Sequence, residues 1–498
     1  MVLFVTLNID RAVQLAATYN FMHGHGILLS RASIPALNIV YYPFQGWPPG
    51  LTFALLPFYF FIPDLVFVNK LVDCLFIFFI FLGAMKLINR LFPENRKEIF
   101  ALFCLLNTFS FSPFHYFTST DLYALTFLVY ALIFIYDRLA GVSTGIFNSL
   151  IISAFLFFAA LTRFAYLPLE IVIPVTMILI ALRQKNIALI RDSSYTLLFS
   201  MAFSIGLYLF QHLYYSGIFL ARVNFALHPE NLLQLNPFLY RAFFFTEPLE
   251  SIRNNTGILH LLITGIEWAI FFFILFHFIN YLGSGKKEKS PIYFFNVIIL
   301  IVTITVTGLI IFLSLITPAQ HYNLNRPWTY VAETRYYAPV LFFVQLFVCQ
   351  AVLTYKKKWL AVSFRTLAII SFFISVIYFS FKHYKIIIKN EREGMTEYDH
   401  RNDFELCKKL SAMEKTPGDH IVCSMNDIAS KLSITAGYIP VSNYDSLLSL
   451  DNTSLREKSI MVECNRPLTT KQKDFIEKNN SVLKFSIEDK DWYLTDLK

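Results

Sequence analysis

The chain has 498 residues, 56% of them hydrophobic and 15% charged, with 54 Phe and a formal net charge of +8. Apolar runs of eighteen or more residues recur along most of it, which excludes a soluble globular protein and predicts a polytopic α-helical membrane protein. The positive excess lies before Lys382, since the residues from there onward carry 18 basic and 19 acidic side chains. The charge therefore reads as loop charge that sets topology, and not as a groove for nucleic acid.

Residues 1–8 lack both the charged and the full apolar region of a cleavable signal peptide. "LNIDRAVQLAATYNFMHGHG", from Leu7 to Gly26, then sets Asp10 near an expected membrane edge. Two readings stand there, a helix cap and a reacting group. The residues before Asp10 are fewer than the ~20 a span needs, so the first helix is either a stub or continues upstream. His23 and His25 in "HGHG" have no third ligand near them and argue weakly for a metal, whereas Gly24 and Gly26 suit a tight turn. Residues 50–63, "LTFALLPFYFFIPD", are apolar, short and interrupted by Pro, which predicts an interfacial helix.

About ten to eleven spanning helices are expected, with clear spans over 66–90, 98–117, 121–138, 146–162, 165–182, 195–216, 258–282, 291–316, 336–355 and 360–381. Alternate connections carry the basic clusters Arg90, Arg96 and Lys97, then Arg138, then Arg183, Lys185 and Arg191. The series continues with Lys286, Lys287 and Lys289, and then Lys356, Lys357 and Lys358. The positive-inside rule makes these cytoplasmic. Residues 10–49, 118–120, 217–257, 317–335 and the tail then share the extracytoplasmic side.

The chain divides on this reading into a membrane domain, 1–384, with outer loops 10–49, 217–257 and 317–335, and a soluble extracytoplasmic domain, 385–498. In the tail, "HIVCSM" and "SIMVEC" read as buried strands. "NDFELCKKLSAME" and "TTKQKDFIEKN" read as amphipathic helices, the second started by a Thr cap. Strands alternating with helices predict a small α/β layer domain. It has no GxGxxG or Walker sequence. Cys407, Cys423 and Cys464 have no metal spacing, and a disulfide between two of them stays open.

Several ionisable residues fall on the predicted outer face: Asp10, Asp121 after "FTST", Arg163 in "LTRF", and Glu333 and Arg335 in "ETRYYAP". Charges at a membrane face are costly and mark a water-filled site by default. Each also has a plain structural role, Asp121 as a helix cap and the two Arg as interface anchors. "HYNLNRPW" adds Arg326 and Trp328, either an aromatic belt or a contact to a sugar ring or lipid phosphate.

The ordered pieces "DRAVQLAATYNFMHGHGILLSR", "YYPFQGWPPGLTFALL", "TSTDLYALTFLVYAL", "AALTRFAYLPL" and "ETRYYAPVLF" resemble the GT-C superfamily of membrane glycosyltransferases. The nearest branch is family 39, with the protein mannosyltransferases and lipid A aminoarabinose transferases. The resemblance covers about residues 1–380 in order, and the tail looks like the small periplasmic domain of many members.

It implies a bacterial cytoplasmic (inner) membrane enzyme that takes a sugar from a polyprenyl-phosphate donor and gives it to an extracytoplasmic acceptor. Asp10 then matches the general base, and Asp121 a supporting acidic residue that orients a polar partner or, in some relatives, a divalent metal. Arg335, Arg163, Glu333, Tyr336, Arg326 and Trp328 are the implied substrate contacts, with Arg suited to clamp phosphate oxygens. Many members have a second acidic residue beside the first, whereas Ile9 and Arg11 flank Asp10 here. That departure argues against a metal-assisted variant and places Arg11 to pair with Asp10.

Two rivals remain. A flippase or transporter of lipid-linked sugars would use Lys70 and Asp73 on one helix face, with Glu170 and Glu267, as pathway charges. An O-antigen polymerase or ligase would use a pyrophosphate-linked donor.

Overall fold

The computed structural model describes residues 9–34, 37–43, 48–110, 120–215, 290–316, 358–383, 401–413, 420–424, 431–441, 443–449, 459–487 and 490–496, with short pieces between 227 and 349. Two compact units divide the chain: Asp73–Phe210 with Leu220–Asn390, and Met1–Val72 with Gln211–Phe219 and Glu391–Lys498. The second grouping differs from a boundary at residue 384, because the beginning of the chain shares a core with its end.

That unit opens with helix α1 (Ile9–Met22), strands β1 (Leu28–Ser33) and β2 (Asn38–Pro43), and helix α2 (Gly50–Tyr59). β1 and β2 pair as an antiparallel hairpin, with Leu28 opposite Pro43 and Ser33 opposite Asn38. Gly24 and Gly26 make the turn into β1 at φ of 84° and 77°, a region open to glycine without steric cost.

The tail contributes α11 (Arg401–Ala412), β3 (His420–Cys423), β4 (Ile439–Pro440), α12 (Tyr444–Leu448), β5 (Ser459–Asn465), α13 (Thr470–Lys478), β6 (Val482–Ile487) and β7 (Lys490–Asp496). The sheet order is β4-β3-β5-β7-β6, parallel at β3 and antiparallel at β7. Side chains alternate across the two central strands, as a sheet buried on both faces requires. Ile421, Cys423, Ile460, Val462 and Cys464 share one core with Phe475 of α13. Val422 and Met461 share the other with Leu406 and Leu410 of α11. The expected α/β layering is therefore present. Thr469 caps α13 through a full capping box with Gln472, as its sequence suggested. Cys423 and Cys464 are free, buried thiols.

Ala32 of β1 forms a parallel bridge to Val441, just beyond β4. Ala32 and Leu37 are both fully buried in the first of those two cores. Leu37 sits at φ 51°, a left-handed backbone that costs a non-glycine residue about 1–2 kcal/mol. Burying its side chain contributes about 1.5–3 kcal/mol in return, so the tail core sustains the hairpin turn.

The other unit is helical. It holds most of α3 (Leu65–Leu91), then α4 (Arg96–Ser110), α5 (Asp121–Leu139), α6 (Ile146–Thr162), α7 (Leu169–Gln184), α8 (Ile187–Tyr215), α9 (Pro291–Ile316) and α10 (Lys358–His383). Among the described residues five segments are long and apolar enough to cross a membrane: Leu65–Leu91, Asp121–Leu139, Phe164–Gln184, Ile187–Phe210 and Pro291–Leu313. The chain is an integral membrane protein. The expected spans 258–282 and 336–355 lie largely outside the described residues. α8 starts eight residues before the predicted 195, because Asp192 inside it is paired and so does not end the helix.

α5 packs along α6, α9 lies against α7 and α5, and α10 lies against α4. Ser149 and Ser153 of α6 donate to the backbone oxygens of Asp192 and Thr196 on α8, both at 2.8 Å. Gly83 lets α3 approach α5, since a Cβ there would meet Val129 Cγ1 at 3.0 Å.

Two predictions follow from this packing and from the tail. Gly83→Val overpacks the α3–α5 contact and is expected to lower stability by about 1–3 kcal/mol; an unchanged thermal midpoint in detergent contradicts the contact. In the tail, hydrogen bonds from Arg466 hold the Asp491 carboxyl below its usual range. Its contribution is complete above an ordinary Asp value of about 4 and vanishes as pH falls through the lowered native value. Asp491→Asn should flatten the acid limb of amide-exchange protection in β5 and β7; an acid limb identical to the parent's contradicts this.

Candidate active site

The site is built at one end of the helical unit. α5 opens on Asp121, preceded by the buried Thr120. α6 closes at Thr162, where Arg163 takes an extended backbone at φ −153° and ψ 114°. Its N–H still donates to Ala159 O at 3.0 Å, so the chain leaves the helix only after Arg163 is anchored. A 3-10 turn over Phe164–Tyr166 and then Pro168 lead into α7. A short connection, 140–145, makes α5 and α6 antiparallel neighbours, which brings the start of one level with the end of the other.

Arg163 Nε lies 2.9 Å from Asp121 Oδ1, with the side chains 8% and 2% exposed. Two of the residues singled out in the sequence therefore meet, although their numbers differ by 42. A guanidinium taken out of water must be paired, and removing one partner strands the other charge. The contact also fixes the guanidinium plane, the property that lets Arg address phosphate oxygens with several donors. Asp121 Oδ1 is committed to that task.

A second contact grips the same end of α5 from another side. Tyr123 donates its hydroxyl proton to Asp73 Oδ1 at 2.6 Å, and its ring stacks on Phe76 at 3.9 Å. Tyr123 is fully buried and Asp73 nearly so. Asp121 and Tyr123 are two residues apart and face different directions on a helix, so α5 is held by α6 through one and by α3 through the other. The sequence suggested Asp73 as a pathway charge beside Lys70 on one helix face. Its bond to Tyr123 was missed, and the signal was the Tyr in "STDLY". Glu170, the other named pathway charge with described geometry, accepts a hydrogen bond from Ser204 across α7 and α8.

The opposite end of the bundle is also paired. Arg90 binds Asp137 through two hydrogen bonds, of 2.6 and 2.8 Å. Arg138 reaches Asp192 at 2.8 Å, and Asp192 also accepts the Gly145 N–H at 2.9 Å. Arg90 and Arg138 thus lie at one end of the bundle, and Asp121 with Arg163 at the other.

Asp10 is the second residue of α1, with Ile9 already helical before it, so it is not the N-cap of α1 as described. Its side chain, and all of Arg326, Trp328, Glu333, Arg335, Tyr336 and Glu267, lie outside the described residues. Arg11 is fully buried. His23 stacks on Tyr19 at 3.9 Å and His25 on Tyr41 at 4.5 Å, which accounts for both rings without a ligand. Among the described residues no group of three or more His, Cys, Asp or Glu converges as a metal site requires. Asp121 is engaged by the Arg163 guanidinium.

The pair yields a direct stability test. Asp121→Ala is expected to cost about 3–5 kcal/mol by stranding a buried guanidinium, whereas Asp121→Ala with Arg163→Met should cost markedly less. Thermal unfolding of the three variants in one detergent measures the coupling, and additive losses contradict it.

No family model matches this sequence, and no curated protein matches it. Solved structures do. ArnT from Cupriavidus metallidurans in the apo state aligns over 99% of this chain and 94% of that one, at 12% identity and a TM-score of 0.49. ArnT bound to undecaprenyl phosphate aligns over the same shares at 13% identity and a TM-score of 0.46. The Archaeoglobus fulgidus oligosaccharyltransferase in complex with Zn and sulfate aligns over 92% of this chain at 14% identity, with a TM-score of 0.51. This chain spans 64% of that longer one. At these identities the likeness is one of fold.

Proposed function

We propose that this chain, an integral membrane protein with the GT-C fold, is a glycosyltransferase that moves a sugar from a polyprenyl-phosphate donor to an acceptor hydroxyl. The observation that supports the reading is the buried Asp121–Arg163 pair, which fixes a guanidinium, a group suited to phosphate oxygens, at one end of the bundle. The fold shared with the Archaeoglobus fulgidus oligosaccharyltransferase supports the same choice.

In this mechanism the Asp10 carboxylate takes the proton of the acceptor hydroxyl, whose oxygen attacks the anomeric carbon. The bond from that carbon to the phosphate oxygen breaks, and the lipid phosphate leaves with the electron pair. Arg163, oriented by Asp121, and Arg335 offset the charge that develops on the departing phosphate. Glu333, Tyr336, Arg326 and Trp328 hold the donor. The protein sits in a bacterial cytoplasmic membrane, with residues 10–49, 217–257, 317–335 and the tail on the outer side. The soluble tail and the membrane helices act as separate domains in this reading, and the acceptor is an envelope glycan, a lipid or a protein.

Asp10→Asn in the full chain is expected to lower transfer from radiolabelled polyprenyl-phosphate sugars by about 10²–10⁴-fold, with donor binding and protein level retained. Transfer at the parental rate removes Asp10 from the chemistry. Movement of lipid-linked sugar across the membrane without transfer favours the flippase.

A further inference from the structure

The tail is tied to the Asp10 helix by a chain of contacts within one compact unit. α1 packs against the turn Ile434–Ala436 of the tail. At its C-terminal end Asn20 donates to Leu28 O at 2.7 Å and to Ser30 Oγ at 3.3 Å, fastening the helix to β1. Thr18 and Thr52 hydroxyls lie 2.9 Å apart and fasten it to α2. The hairpin is in turn built into the tail: Ala32 bridges to Val441, Leu37 fills the tail core, and Lys431 Nζ lies 3.3 Å from Tyr42 Oη.

These pieces have little stability of their own. A fourteen-residue helix is marginal in water, and so is a two-stranded hairpin. Leu37 is the pivot, because its left-handed backbone is unfavourable and its buried side chain is what retains it. Asn20 passes that anchoring to α1.

From this geometry we infer that the C-terminal domain is the positioning element of the Asp10 helix, with Leu37 and Asn20 as positioning residues and the hairpin as the link between them. The tail acts on the reaction by holding α1, and acceptor recognition is not required to explain it. The functional half of this inference rests on Asp10 being the base; the mechanical half does not.

Leu37→Gly is the informative variant, since glycine accepts the left-handed backbone while the anchoring side chain is lost. Alongside it, Ala32→Cys with Val441→Cys offers a covalent replacement for the link, because neighbouring strands lie about 4.8 Å apart, within disulfide reach. Both are made in the full chain in lipid nanodiscs. Amide exchange over 11–22 should rise at least about tenfold in Leu37→Gly, as for a locally opened segment, while β3 and β5 keep their protection. Turnover should fall by up to about a hundredfold through misplacement of the base, with the KM for donor within about twofold of the parent. Oxidising the engineered cysteine pair in the Leu37→Gly background should restore protection and turnover, and reduction should abolish both.

Unchanged exchange over 11–22 overturns the proposal. So does an equal rise in β3 and β5, which would make Leu37 a core residue of the tail and nothing more. A retained kcat with a raised acceptor KM also overturns it, in favour of a tail that binds acceptor. If the exchange responses appear but the parent chain transfers no sugar from any donor tested, the mechanical link is supported and the reading of Asp10 as base fails instead.

Discussion

Ionised groups inside an apolar helical bundle must be paired, and that constraint organises the helical unit from both ends. Asp121 with Arg163 joins the start of α5 to the end of α6. Arg90 with Asp137 joins the far end of α3 to α5, and Arg138 with Asp192 joins that same end of α5 to α8. Each pair replaces water that the membrane interior does not offer, and each sets the axial position of one helix against its neighbour. Between these ends serine hydroxyls donate to backbone oxygens across α6 and α8, a glycine stands where α3 meets α5, and Tyr130 and Phe134 of α5 stack on Phe155 of α6. That is the pattern expected where lipid supplies no hydrophobic drive between helices and association depends on close approach.

Much of this was legible in the sequence, and the reason is that membranes read sequence simply. Apolar length gave α3, α5, α6, α9 and α10 within a few residues. The meeting of Asp121 and Arg163 was legible as a shared face, because antiparallel neighbours with a short connection bring opposite termini together. The partner of Asp73 was not. A hydrogen bond between α3 and α5 depends on the rotation of both helices, which composition does not encode.

The segment 27–43 shows a different limit. "ILLSRAS" and "NIVYYP" are short, their alternation is incomplete, and the strand they extend lies more than 390 residues away. Pairing at such separation is decided by the tail core, which accepts Ala32 and Leu37 and keeps Leu37 in a backbone conformation its sequence would not choose. In the tail itself, β3, β5, α11 and α13 carried clear periodic signals. β6 and β7 did not, since β6 is an edge strand with Val482 and Leu483 exposed and so lacks a clean apolar face. Domain division followed the same logic. Sequence order separates the two ends of the chain, whereas burial joins them.

The step proposed for this chain is cleavage of the bond between sugar and lipid phosphate. The most direct measurement is mass spectrometry of the lipid products after the purified full chain, in nanodiscs, meets a polyprenyl-phosphate sugar and a hydroxyl acceptor. Free polyprenyl phosphate and glycosylated acceptor are expected in equal amounts. Intact donor recovered in full, across a panel of sugars and acceptors, would contradict that step.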